Sequence, residues 1–376
     1  MQRFLTLLGA ACLPLIAQAQ AGAEGWQACA AIVEGAQRLA CFDRWAQGQQ
    51  PPVVAVPATP ATPPAAPAPL AAAMPPAATE AQRSLRLTTH EGCRNTAYSH
   101  LSRFWELERG SDCGVFGLRS FRPLIAAAAF ADSVNKQPTS GNPANNATTA
   151  IDYRTREMRL QLSVRSKIAK GLFTPDASQA SDSVWFAYSQ QSYWQLFTPG
   201  ISRPFRSTDH EPELMYVYPL QAGLAGWNLR YGGIGVVHHS NGQSLPYSRS
   251  WNRTYLMAGA EHGALQLQGR LWRRIDENRV DDDNPGISDY IGRAELQASW
   301  QPNADNHFNL TARHSLRSAA RGSLRLEWSR TLWDGGDNAP GGLQLYTGFF
   351  TGYGDTLLDY NRRRSVFTVG LSLADW

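Results

Sequence analysis

The segment Leu265-Gln266-Leu267-Gln268-Gly269-Arg270-Leu271-Trp272 alternates apolar and polar side chains over most of its length. A strand places successive side chains on opposite faces, so the pattern predicts a β-strand with one apolar face and one polar face. Ser323-Leu324-Arg325-Leu326-Glu327-Trp328 repeats the alternation. Similar segments of about ten residues recur between clusters of Gly, Asn, Asp and Pro. The recurrence predicts an all-β transmembrane barrel.

Counting such segments predicts about twelve strands, and an even number suits an antiparallel barrel of a bacterial outer membrane. The last strand sets Phe367, Val369, Leu371 and Leu373 against smaller or more polar neighbours and leads to a terminal Trp376. A soluble sandwich has little reason to end on such an aromatic residue. The predicted strands lie near 116–130, 152–168, 183–196, 211–224, 228–239, 249–260, 264–275, 289–300, 305–317, 321–332, 341–352 and 364–376.

The first nineteen residues have the layout of a secretory signal. Arg3 precedes an apolar stretch from Phe4 to Ile16, and Ala17-Gln18-Ala19 has the small residues of a cleavage site. Cys12 lies inside this segment and is expected to leave with it. Beyond the signal, no run approaches the roughly 18 apolar residues of a membrane-spanning helix.

Cysteines and prolines divide the rest of the chain. Ten of the 23 prolines lie between Pro51 and Pro76 among Ala and Thr, which predicts an extended tether without a core. Four cysteines remain after the signal, and an oxidising periplasm favours two disulfides. Sequential pairing is preferred over two other connectivities or free thiols for Cys29, Cys41, Cys93 and Cys113. The expected organisation is a signal (1–19), a small periplasmic Cys-bounded module (20–50), a Pro/Ala-rich linker (51–82), a segment leading into the barrel (83–115) and the barrel (116–376).

The charge pattern argues against nucleic acid as a partner. The net charge is only +4, with 35 basic and 31 acidic residues spread along the chain. We expect most of four arginines to be interfacial anchors, namely Arg203, Arg206, Arg249 and Arg253. The attraction of anionic lipid headgroups stabilises each nearby cation by about 1 kcal/mol. The acidic run 281–283 is interpreted as a solvated loop.

The run from His238 to Arg253 carries the candidate chemistry. If the strand continues to Ser240, His238 and Ser240 share one face and His239 takes the other. A turn rich in Asn, Gly, Ser and Pro would return the chain and set Asn252 beside His238. Serine needs an imidazole to take its proton, and the imidazole needs a third group to hold its tautomer. The sequence thus predicts Ser240 as nucleophile, His238 as general base and Asn252 as orienting residue.

This run resembles the outer membrane phospholipase A family. The family signature is a catalytic His, then a Ser two residues later in an S-N-G turn, then S-R-S-W-N-R with the catalytic Asn. All of these elements are present, and the resemblance extends from about residue 115 to the C-terminus. Its elements here are His238, Ser240-Asn241-Gly242, 248–253 and the flanking segments 188–196, 204–206, 211–212, 352–354 and 358–361.

The resemblance implies a calcium-dependent ester hydrolase in the outer membrane. Its substrates would be glycerophospholipids, cleaved at sn-1 and sn-2, and lysophospholipids. By resemblance, Ca²⁺ is held by the backbone carbonyl of Gln243, the hydroxyl of Ser248 and Ser202 of the partner subunit. The Gly242 amide is the natural oxyanion donor.

The family is activated by homodimerisation, and Gln190 occupies the position of its membrane-embedded glutamine. From the residues alone, Gln190 would instead point into the polar lumen. Leu245 stands where some relatives have an aspartate linked to calcium binding without a partner, which puts monomer-state calcium binding in doubt.

Two other functions remain in competition. A lipid A deacylase is also an outer membrane barrel with an H-x-S pair, but that family is smaller and uses an acidic orienting residue. A porin or structural barrel would show the same strands, and only the intact His238, Ser240 and Asn252 oppose it. A lumen filled with side chains would weaken the porin hypothesis further.

Overall fold

The computed structural model describes residues 26–48, 92–174, 179–203, 205–334 and 342–374. The predicted signal (1–19), the whole of the predicted linker (51–82) and Trp376 lie outside these residues. The chain divides into two compact units, Met1–Ala78 and Thr79–Trp376. None of the described helices is long and apolar enough to cross a membrane.

The first unit contains a pair of short helices, α1 (Trp26–Ala30) and α2 (Gly35–Gly48). A disulfide joins Cys29 to Cys41, with the two Cα atoms 5.5 Å apart. A unit this small buries little apolar surface, so the covalent link supplies order that a core cannot.

The second unit is a closed antiparallel barrel. Its described residues form helix α3 (His100–Trp105) and thirteen strands, and each long strand pairs with its neighbours in sequence. Closure comes from β13 against β2, and from β3 against both β2 and β4. The strands are β1 (Leu118–Ser120), β2 (Leu124–Ala131), β3 (Arg156–Lys170), β4 (Ser183–Trp194), β5 (Phe205–Leu224), β6 (Trp227–Ser240), β7 (Ser250–His262), β8 (Leu265–Ile275), β9 (Ala294–Trp300), β10 (Asn306–His314), β11 (Gly322–Trp333), β12 (Gly342–Gly352) and β13 (Arg364–Ala374).

The predicted barrel of about twelve strands is confirmed, with one detail added. The predicted strand 116–130 is split into β1 and β2, and both segments pair with the same edge of β3. Pro123 lies at the break, where its missing N–H cannot join the ladder. Twelve strands therefore close the barrel, and β1 extends the line of β2.

The barrel wall is apolar outside and polar inside. Large side chains such as Phe186, Ile234 and Leu256 are about half exposed on the outer face. A soluble protein rarely exposes such a surface, whereas a lipid-facing wall requires it. Inside, ion pairs such as Arg253 with Glu211 at 2.8 Å bridge the strands.

The segment before the barrel packs into the lumen. Trp105 of α3 is 1% exposed, and its ring lies 5.9 Å from that of Trp185 and 5.4 Å from that of Tyr231. The predicted disulfide between Cys93 and Cys113 closes this segment. A lumen filled in this way is not an open pore, so the porin hypothesis is weakened as expected.

The two ends of the barrel differ. One end, here called the long-loop end, carries the connections 132–155, 276–293 and 353–363. The opposite end has two-residue turns at 225–226 and 263–264. Outer membrane barrels have short periplasmic turns and longer extracellular loops. The hairpin that joins β6 to β7 lies at the long-loop end.

Candidate functional site

The β6–β7 hairpin sets its candidate residues on the outer face of the barrel. His238 pairs with Asn252 across the two strands, and Ser240 pairs with Ser250. Val237 and Trp251 are buried in the lumen, so the alternation of each strand turns His238 and Asn252 outward. The His238 Nδ1 and Asn252 Oδ1 atoms lie 2.8 Å apart.

His239 takes the opposite face, as strand parity predicts. Trp251 Nε1 donates a hydrogen bond of 3.2 Å to His239 Nδ1, and Glu211 lies 3.7 Å from the same nitrogen. His239 is therefore a lumen residue in a polar network. Of the two adjacent histidines, only His238 shares a surface with Ser240 and Asn252.

Ser240 ends β6 beside two histidines. It lies opposite His210 of β5 in the register, and the Tyr188 hydroxyl is 2.7 Å from His210 Nδ1. Among the described residues, no hydrogen bond joins Ser240 to His238. Catalytic hydrogen bonds are often loose in free enzymes and tighten with substrate, so this geometry is compatible with a nucleophile and its base.

Asn241 organises the turn that follows the serine. Its Nδ2 donates to the Tyr247 carbonyl at 2.8 Å, and its Oδ1 accepts from the Arg249 amide at 2.9 Å. Gly242 has φ of +62°, a left-handed conformation that costs glycine little. The turn then continues to Ser248, whose amide donates to the Ser244 carbonyl at 3.0 Å.

Ser248 contacts a carboxylate that the sequence interpretation did not select. Its Oγ donates 2.7 Å to Asp283 Oδ2, and Ser250 Oγ donates 3.3 Å to the same oxygen. The solvated-loop interpretation of 281–283 is thus wrong for Asp282 and Asp283. Asp282 is 8% exposed and pairs with Arg274 at 2.6 Å. These contacts depend on the tertiary structure, because the acidic run lies more than thirty residues beyond Ser248 in the sequence.

The predicted interfacial arginines are mostly interior groups. Arg206 and Arg249 are at most 1% exposed, and Arg253 is 6% exposed, whereas Arg203 is exposed. Arg206 pairs with Glu157 at 2.6 Å, and Arg249 donates to backbone carbonyls. The anchor interpretation is wrong for these three residues because net charge and position do not reveal buried acidic partners.

Gln190 lies on the outer face of β4. Its inward neighbours in the strand, Ser189 and Gln191, alternate with it. Gln190 Oε1 accepts from the Tyr188 hydroxyl at 3.1 Å, and its Nε2 donates to Ser192 Oγ at 3.3 Å. The inward alternative is therefore wrong, and a polar strip runs along β4 at the barrel surface.

Ser202, which lies beyond the end of β4, and Gln243 are the two remaining predicted ligand positions. The Ser202 carbonyl accepts from Trp194 Nε1 at 2.5 Å, and the Ser202 hydroxyl donates to the Pro199 carbonyl at 3.2 Å. Gln243 lies in the hairpin turn, where its side-chain amide donates to the Arg206 carbonyl at 3.3 Å. Leu245 is 61% exposed.

Comparison with known proteins identifies the family. The family model described as phospholipase A1 matches residues 101–373. The chain belongs to the phospholipase A1 family. Its members are carboxylic ester hydrolases. Phospholipase A1 of Escherichia coli (strain K12) is 32% identical over 227 residues, which cover 60% of this chain and 72% of that protein.

Solved structures agree with the family assignment. The outer membrane phospholipase A from Escherichia coli superposes with a TM-score of 0.60 at 28% identity, covering 70% of this chain and 94% of that one. A Salmonella typhi outer membrane phospholipase, solved as a dimer with bound calcium, gives a TM-score of 0.59 at 28% identity and covers 69% and 93%. The barrel fold and these relatives together identify this phospholipase A1 family member as a bacterial outer membrane protein.

Proposed function

We propose that this chain hydrolyses the acyl ester bonds of glycerophospholipids, at both sn-1 and sn-2, through a Ser-His-Asn mechanism. The observation that carries the proposal is the 2.8 Å contact between His238 and Asn252 on the lipid-facing wall, with Ser240 on the same face. Family membership supports the substrate class. A site on the outer face meets lipid directly, whereas a site in the lumen would not.

In the acylation step, Ser240 Oγ attacks the ester carbonyl and its proton passes to His238 Nε2. The bond from the carbonyl carbon to the glycerol oxygen then breaks, and His238 protonates the departing alkoxide. Asn252 Oδ1 accepts from Nδ1 throughout, which keeps Nε2 available as the base. Water activated by the same histidine clears the acyl group, and the products are a fatty acid and a lysophospholipid.

The negative oxygen of the tetrahedral intermediate needs fixed donors. The Gly242 amide follows the nucleophile in the turn and is proposed as one donor. Removing a single such donor typically costs about 3 kcal/mol of transition-state stabilisation.

The residues near Ser248 fit a calcium ion. Ser248 Oγ and the Asp283 carboxylate are oxygen donors 2.7 Å apart, and hard cations prefer oxygen ligands. Asn145 donates to Asp283 through Nδ2, while its buried Oδ1 has no hydrogen-bond partner among the described residues. We assign Ser248, the Gln243 carbonyl, Asp283 and Ser202 of the partner subunit as holding groups. Bound calcium would supply positive charge beside the oxyanion.

Activation by homodimerisation is part of the proposal. Gln190 presents an amide to the membrane, and its hydrogen bonds with Tyr188 and Ser192 leave one N–H and one acceptor lone pair for a second copy. Because unsatisfied polar groups are costly in lipid, pairing with that copy would be favourable. The calcium-bound dimer of the Salmonella typhi relative supports this view. The inactive form would be the monomer, in which Ser202 of the partner subunit is missing.

The test is hydrolysis by the refolded full-length protein in detergent. Phosphatidylcholine micelles with Ca²⁺ should release fatty acid, and EDTA should stop the reaction. Lipid A in a parallel assay tests the deacylase alternative, which Asn252 as orienting residue disfavours. Undiminished phosphatidylcholine hydrolysis by Ser240→Ala would refute the assignment, and release from lipid A alone would favour the deacylase.

A further inference from the structure

The amide of Asn252 has a second partner on the side away from His238. Its Nδ2 donates a hydrogen bond of 3.0 Å to Glu277 Oε1. Glu277 follows the end of β8, and Asn252 lies opposite Ile275 in the register of β7 and β8. The Glu277 side chain is 20% exposed. The carboxylate is thus brought to the site by the strand on the other side of β7.

A carboxylate at this position removes an ambiguity of the asparagine. The two ends of an amide are similar in shape, and a half-turn would present N–H groups to His238 instead of an oxygen. An ionised carboxylate only accepts hydrogen bonds, so Glu277 selects the orientation with Nδ2 toward itself. Oδ1 then faces His238, Nδ1 carries the proton, and Nε2 keeps its lone pair.

We propose that Glu277 is a positioning residue for the ester hydrolysis, acting through Asn252. The inference rests on the proposed function. It extends the Ser-His-Asn arrangement to Ser240, His238, Asn252 and Glu277. Asparagine is a neutral orienting group, and the carboxylate behind it supplies the negative charge that an aspartate would supply directly. A hydrogen bond to a charged acceptor polarises the amide and strengthens its bond to the imidazole.

Arg274 fixes the carboxylate without neutralising it fully. Arg274 Nη2 lies 3.3 Å from Glu277 Oε2 but only 2.6 Å from Asp282 Oδ1. The guanidinium therefore pairs more closely with Asp282, and Glu277 keeps negative charge available to Asn252. Arg274 is 12% exposed, so the arrangement is held by packing as well as by charge.

The role is confined to the steps that charge the imidazole. When Ser240 Oγ bonds to the acyl carbon, its proton moves to His238 Nε2, and the positive ring is stabilised through Asn252. The proton leaves again with the glycerol oxygen, so Glu277 neither gains nor loses one. Two side chains separate Glu277 from Ser240. Its loss should lower kcat and leave KM for the lipid unchanged.

The matched variants are Glu277→Gln and Asp276→Asn. Both remove one negative charge from the same loop, and Asp276 is exposed. For Glu277→Gln, kcat should fall about fivefold or more, the effect of replacing a charge-assisted hydrogen bond by a neutral one. Labelling of Ser240 by a long-chain sulfonyl fluoride should slow by the same factor. Asp276→Asn should match the wild type in both measurements.

A double-mutant cycle separates positioning from simple support of the loop. In an Asn252→Ala background, Glu277→Gln should cause no further loss, because its effect passes through the amide. Circular dichroism would establish that each barrel is folded. Wild-type kcat in Glu277→Gln, or an equal loss with and without Asn252, would overturn the inference. A wild type that neither hydrolyses lipid nor labels at Ser240 would instead overturn the proposed function.

Discussion

Ser248 Oγ and Asp283 Oδ2 lie 2.7 Å apart and join the turn of the β6–β7 hairpin to the loop between β8 and β9. The two residues are 35 positions apart in sequence. Asn145, from the connection between β2 and β3, donates to the Ser248 carbonyl and to Asp283. Three connections of the long-loop end therefore meet where we propose the calcium ion.

Asp283→Asn should weaken calcium binding. Removing the carboxylate charge while keeping an oxygen should raise the Ca²⁺ concentration for half-maximal activity about tenfold, since ligand charge tunes affinity. Calcium titration of hydrolysis measures the change, and direct titration calorimetry checks it without substrate. Asp281→Asn is the control, because Asp281 is exposed on the same loop. An unchanged titration curve for Asp283→Asn would remove Asp283 from the site.

Ser240→Ala and Asn252→Ala should differ in severity. The first removes the atom that bonds to the acyl group, so hydrolysis should fall to background. The second leaves the base and nucleophile in place, and we expect a residual rate lower by on the order of 10²-fold. Initial rates at saturating lipid compare the two. Equal losses would show that Asn252 does more than orient His238.

Gln190→Leu should weaken calcium-dependent dimerisation without unfolding the barrel. The leucine removes the amide that would pair across the interface and suits the lipid-facing wall. Chemical crosslinking with and without Ca²⁺ in detergent measures the dimer. Gln221→Leu, exposed near the short-turn end of β5, is the control. If crosslinking of Gln190→Leu still rises with calcium as in the wild type, Gln190 lies outside the interface.

Arg206→Met should destabilise the barrel strongly. Arg206 pairs with Glu157 at 2.6 Å and with Asp359 at 2.9 Å, and all three side chains are at most 1% exposed. The substitution leaves Arg364 as the remaining cation beside Glu157 and Asp359. Removing one partner of a buried ion pair costs about 3–5 kcal/mol. Denaturant unfolding in micelles measures the loss. Arg203→Met, at an exposed position, should unfold like the wild type; equal loss in both variants would contradict the explanation.

Asp359 should make stability sensitive to acid. Burial raises its pKa, but Arg206 and Arg364 outweigh burial and hold the pKa below the ordinary value of 3.8. A carboxyl whose pKa is lowered by folding stabilises the folded state at every pH above its ordinary, unfolded-state pKa. This contribution disappears as the pH falls through the folded-state pKa. Unfolding midpoints measured from neutral pH into strong acid should therefore fall less steeply in Asp359→Asn. Parallel curves would show that Asp359 does not contribute.

Local sequence patterns were sufficient to predict the barrel and to predict which side chains of the β6–β7 hairpin share a face. Alternation predicted the strands, and it predicted that His238 and His239 lie on opposite faces of β6. It missed the extent of β5, which begins at Phe205 rather than near 211. Thr208 and His210 are polar, so this part of the sequence resembles a loop. Their partners Ser192 and Tyr188 lie on the neighbouring strand β4, and a local sequence pattern does not reveal such partners.

The sequence by itself predicted the period of the strands, favoured the sequential pairing of the cysteines over its alternatives and placed His238, Ser240 and Asn252 on one face of a hairpin, since each inference depends on residues close together along the chain. Only the tertiary structure decided which charges are buried and which carboxylates meet the hairpin. Arg206 finds Glu157 and Asp359, and Asn252 finds Glu277, through barrel closure and loop packing. Those contacts join residues that no local period relates.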